Sequence, residues 1–117
     1  FSTAIKISDS KERDVIGIDM DEVSFTEAYT KNISTWQLFK RGRLESSMTK
    51  SGIEGKTPEE IALNMESSIR QLSGFANLER ERVKTMAENL RSHSETRKKI
   101  LSIIEVSNVS ELINELK

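Results

Sequence analysis

Two rhythms of apolar residues alternate along this chain, and they predict different elements. In the opening "STAIKIS", Thr3, Ile5 and Ile7 point to one side with a period of two. A polar stretch, "SDSKERD", separates it from a second short apolar run, "VIGID". Period-two runs flanking a polar turn predict a small N-terminal β-hairpin over residues 1–20. Such a hairpin is marginal alone and needs helices to lean on. After it the rhythm changes. Ser24 and Glu27 form an S-x-x-E capping box, with Val23 and Ala28 placed as a hydrophobic staple. Phe25, Tyr29, Ile33 and Trp36 then follow at helical spacing. A medium first helix and its loop therefore occupy residues 24–56. Lys40, Arg41 and Arg43 around Gly42 look like a stop signal, although continuation through Leu44 and Met48 also satisfies the pattern. "TKSGIEGKTP" is the clearest loop.

The strongest periodicity lies in residues 57–117. Thr57 is an N-cap, Pro58 suits the first helical position, and Glu60 completes a second capping box. A three-four alternation then runs through Ala62, Met65, Ile69, Leu72, Ala76, Glu79, Val83, Met86, Leu90, His93, Arg97, Ile100 and Ile104. Ten of these thirteen positions are apolar, enough to predict a long coiled-coil-like helix. At 1.5 Å per residue it would extend ~70 Å. Gly74 falls on its outer face, where it costs ~1 kcal/mol relative to alanine. The surrounding "SGFAN" alternatively reads as a turn that splits the helix. A short C-terminal helix is expected from Val109, capped by Asn108 with Glu111 three residues on. The fold class predicted is mainly α, in one domain spanning 1–117.

That seam is wide near residues 61–78 and again at "ILSII", but narrow and polar-flanked between. The first helix is too short to cover it, so a second copy of the chain is the expected cover. The predicted protein interface is Ile69, Leu72, Val83, Met86, Leu90, His93, Arg97, Ile100 and Ile104. His93 and Arg97 interrupt the stripe, where polar residues commonly set register or oligomeric state.

Composition narrows the chemistry. Charged residues are 32% of the chain and apolar ones 35%, which suits long helices with narrow buried stripes. Net charge is −1, so the chain as a whole favours neither nucleic acid nor a membrane surface. The sign is segmented, however. Residues 1–30 hold three bases and seven acids, whereas residues 31–56 hold six bases and two acids. There is no cysteine, which removes disulfides, thiolate catalysis and sulfur-ligated zinc. One histidine, without supporting carboxylates, makes no zinc site. No cofactor is expected, and no apolar run reaches the ~18 residues of a membrane span. The chain starts at Phe1 rather than methionine and reads as a fragment. A cytoplasmic location is expected.

"VIGIDMDEV", residues 15–23, resembles the first motif of the haloacid-dehalogenase-like phosphatases. The resemblance would make Asp19 a nucleophile and Asp21 a general acid beside Mg²⁺. It covers only those nine residues, and the family's later strands with their lysine and acids have no counterpart after Ser24. The plainer account places Asp19, Asp21 and Glu22 ahead of a helix N-terminus, whose dipole favours them. Nor is this a calcium loop, since Ser24 and Thr30 stand where glycine and glutamate are needed. The expected function is therefore a non-catalytic scaffold or adaptor that oligomerises through helix-to-helix contact. An alternative is an assembly chaperone or regulator, phage- or secretion-type in outline, that captures a partner helix. A weaker third is a nucleic-acid-associated protein using Lys40, Arg41, Arg43, Arg97, Lys98 and Lys99.

Overall fold

A computed structural model describes residues 1–117 as six α-helices and one 3₁₀ turn, with no β-strand. The helices are α1 (Ser2–Ser10), α2 (Glu22–Asn32), α3 (Thr35–Ser51), α4 (Pro58–Arg70), α5 (Ser73–Ser94) and α6 (Val109–Leu116). The mainly α class holds, but the N-terminal hairpin is corrected to a helix and an extended arm.

The residues taken for the hairpin turn are the end of α1. Glu12 adopts a left-handed conformation, φ 50°. Its N–H donates to the Asp9 carbonyl at 3.2 Å, and that of Arg13 to the Ser8 carbonyl at 3.0 Å. This pair of bonds is a Schellman closure, reached here without the usual glycine. The following arm finds a better apolar face than a partner strand. Ile18 packs beside α5, and its carbonyl accepts a hydrogen bond from Asn89 Nδ2 at 2.7 Å.

The medium helix is also corrected, to two helices. Its cap is Asp21 rather than Ser24, with Asp21 Oδ1 accepting from the Ser24 N–H at 2.7 Å. The chain leaves the helix at Ile33, extended at φ −107° and ψ 110° and buried in the core. Ser34 caps the next helix, accepting from the Gln37 N–H. Helix α3 then runs straight through Gly42 and stops at Gly52, whose φ of 79° suits a residue without Cβ.

Thr57, Pro58 and Glu60 stand as expected at the start of α4. The long helix does not. It breaks at Gln71 and Leu72, where Leu72 turns extended and packs against the first core cluster. Gly74 sits inside the first turn of α5 and is buried, not on an outer face. A Cβ there would collide with the carbonyl oxygen of Asn32. The glycine thus lets the end of α2 press directly onto α5. Helix α5 ends at Ser94, so Arg97, Ile100 and Ile104 lie in an irregular connector rather than on a helical seam. Ser92, Ser94 and Thr96 are weak helix formers at that end. Asn108 makes no side-chain cap to α6; its Oδ1 accepts from Arg70 instead.

Helix α5 is the hub. Its first half joins Ala28, Ile33 and Ile69 in one cluster through Phe75 and Leu78. Its second half joins Leu112 in another through Val83, Met86, Ala87 and Leu90. The rest of the molecule spreads out. The radius of gyration is 16.6 Å, against ~13 Å for a compact chain of this length.

Candidate protein interface

Helix α3 buries none of its residues, although it carries the only tryptophan and one of four phenylalanines. At 100° per residue, Trp36, Phe39, Lys40, Arg43, Ser46, Ser47 and Lys50 fall within an arc of about 120°. The opposite arc holds Gln37, Arg41, Leu44, Glu45 and Met48, all half-buried. The helix therefore turns its smaller apolar residues inward and its two largest outward. Trp36 is 60% exposed and Phe39 54%. Their rings stack with centroids 5.4 Å apart, and Lys40 Nζ lies 5.6 Å from the Trp36 centroid. Behind them, Phe39, Gly42, Arg43, Ser46, Ser47 and Lys50 line an open groove of about 700 Å³. Lys40, Arg43 and Lys50 take part in no ion pair within the chain. The outward face is thus aromatic at one end and cationic along its length.

Sequence reasoning grouped Lys40, Arg41 and Arg43 as a helix terminus. The structure separates them. Arg41 turns inward, with Nε 2.9 Å from Glu45 and its guanidinium 4.8 Å from the Phe75 ring centroid. The signal for the outward face was the 3-4 spacing of Trp36, Phe39, Arg43 and Lys50, which holds only on the reading that the helix continues past Gly42.

The residues predicted as an interface divide three ways. Ile69, Val83, Met86 and Leu90 are buried within the chain, and Leu72 packs on the first cluster. Their apolar faces already meet α2, α4 and α6. His93 occupies the last turn of α5 and is partly exposed. Arg97 lies past the helix and pairs with Asp14 at 3.1 Å. Ile104 packs on the second cluster, whereas Ile100 is exposed with its neighbours Leu101 and Ile103. No single surface unites them.

A polar network unseen in the sequence locks the helices together. Arg82 on α5 reaches Asp19 at 2.5 Å and Glu79 at 2.9 Å. Glu79 also lies 3.9 Å from Arg70 of α4, which pairs with Glu111 of α6 at 3.1 Å. Arg70, Glu79 and Arg82, with Arg41, Glu66 and Glu105, border a small, mainly polar cleft of about 200 Å³. The Asp19 and Glu79 carboxylates hold the Arg82 guanidinium well above its ordinary pKa. Within this cleft Arg70 and Arg82 both lie against Glu79, so it joins α4 to α5.

The same contacts engage the two aspartates of the phosphatase-like motif. Asp19 is ion-paired with Arg82, Asp21 caps α2, and neither stands at a strand end. No group of three or more His, Asp or Glu side chains is placed to hold a metal ion. No helix is long and apolar enough to cross a membrane. Comparison of the chain with protein-family models, curated proteins and solved structures gives no match.

Proposed function

We propose that this chain is a non-catalytic oligomerisation or adaptor module that works through helix-to-helix protein contacts, with a second copy of itself as first partner. One observation carries this reading: the chain exposes more surface than a compact monomer of its mass would. Its accessible area is 8834 Å², where a compact 13.3 kDa protein has about 6,450 Å². The excess of about 2,400 Å² is three times the ~800 Å² that each partner contributes to a standard interface. That surface includes the stacked Trp36–Phe39 pair. The predicted seam on α5 is a poor candidate for the contact, because its central residues are occupied within the chain. The face of α3 is the better one. We place the protein in the cytoplasm, since a cysteine-free chain suits a reducing compartment.

Light scattering over a concentration series tests the proposal. The expected result is a mass of at least two chains at micromolar concentration. A single-chain mass throughout would overturn self-association.

A further inference from the structure

The basic, aromatic face of α3 has a counterpart in the same molecule. On α2, Glu22, Val23, Thr26, Glu27 and Thr30 fall within an arc of about 140°. All five are exposed, and Val23 is 69% exposed. Neither Glu22 nor Glu27 has an ion pair within the chain. The only cation of α2, Lys31, is engaged elsewhere, 3.2 Å from Glu81 of α5. One helix thus offers two unpaired acids around a β-branched side chain, and its neighbour offers three unpaired cations beside two aromatics and a groove.

We infer that the outer face of α2 in one copy docks onto the outer face of α3 in a second copy, Glu22 and Glu27 meeting Lys40, Arg43 and Lys50. This rests on the self-association proposed above and names its two surfaces. Three features support it. The charges are complementary, and none of the five charged groups has an ion pair within the chain. The groove between Phe39 and Lys50 has room for Val23 and Thr26, because Gly42 adds no side chain there and a Cβ would meet nothing within 4 Å. Finally, α2 and α3 are consecutive, so a two-fold arrangement lets each chain offer one face and receive on the other. The contact is then made twice, and the symmetry closes the assembly at two copies.

A charge exchange tests this directly. K40E/R43E gives a chain whose two faces are both acidic, and E22K/E27K a chain whose two faces are both basic. All four positions are exposed and outside the cap and the core, so both variants fold; circular dichroism checks this. Each variant alone should weaken self-association by roughly tenfold or more, and high salt should weaken the wild type. Mixed together, the two variants meet acid to base at both contacts, and a dimer should return. Trp36, the only tryptophan, reports the same event through a blue shift of its emission. Wild-type-like association of either variant alone would overturn the inference, as would a mixture that stays monomeric while the wild type dimerises; both leave the proposed function standing. A wild type that is monomeric throughout defeats the two together.

Discussion

Helices α3 and α5 are the two longest in the protein, and they treat their apolar residues in opposite ways. Helix α5 buries Phe75, Leu78, Val83, Met86, Ala87 and Leu90 against three other helices. Helix α3 buries nothing and leaves Trp36, Leu38 and Phe39 in solvent. Both have helical spacing and both carry many charges. What differs is whether the chain itself returns to cover them. Periodicity announces that a face will be covered, but it does not say by which molecule. In α5 the long seam that suggested a partner has been satisfied from within. In α3 a shorter stripe, easily passed over, has not.

Mutations that move the two helices apart in effect would sharpen this contrast. The largest loss of stability is expected from Leu78→Ala, about 3 kcal/mol, because the side chain is buried where α2, α4 and α5 meet. Urea titration measures it, and a loss under 1 kcal/mol would mean that α5 is not the hub. Gly74→Ala follows at about 2 kcal/mol, since its Cβ must push the Asn32 carbonyl away. Substitution at Gly42, also within a helix but facing open space, makes the comparison fair: Gly42→Ala should stabilise by roughly 0.5–1 kcal/mol. Equal effects at the two glycines would undo the placement of α2 on α5.

Arg82→Met comes next, at about 1 kcal/mol after allowing for solvent around the pair, as it strands Asp19 and leaves Glu79 only Arg70. Acid should act in the same region of the molecule. Backbone and side-chain hydrogen bonds from Ser24 hold Asp21 below its ordinary pKa, and the Asn32 amide and Lys31 ammonium do the same for Glu81. Native values below unfolded ones give stability that is present above the usual carboxylate range. It is lost as pH falls through the native values. The urea midpoint should therefore be level near neutrality and decline below about pH 4. A level midpoint down to pH 2 would contradict both contacts. Smallest of all, Trp36→Ala should change the stability of the isolated chain by less than about 0.5 kcal/mol while weakening its association. A stability loss as large as that of Leu78→Ala would place Trp36 in a core after all.

Local signals in the sequence located much of this fold. Thr57, Pro58 and Glu60 marked the start of α4, and Ile69, Val83, Met86 and Leu90 were recognisable as residues that must be covered. The hairpin, the uninterrupted long helix and the single medium helix were not correct. Ile5 and Ile7 alternate as strand residues do, but no partner strand exists, and hydrogen bonds within α1 satisfy the backbone instead. The candidate interface was half visible: Trp36 and the cations Lys40 and Arg43 stood out, yet their common face with Phe39 depended on α3 continuing past Gly42.

What the sequence by itself determined was the mainly helical character, the loop before Pro58 and the residues that needed cover. Caps and periodicity act within one or two turns, so their information is local. Only the tertiary structure decided that the chain leaves the helix at Ile33 and Leu72, and which faces are closed. Each break gives up a few local hydrogen bonds and is offset by burial against partners far along the chain, such as Gly74 beneath Asn32. No window of neighbouring residues contains that balance.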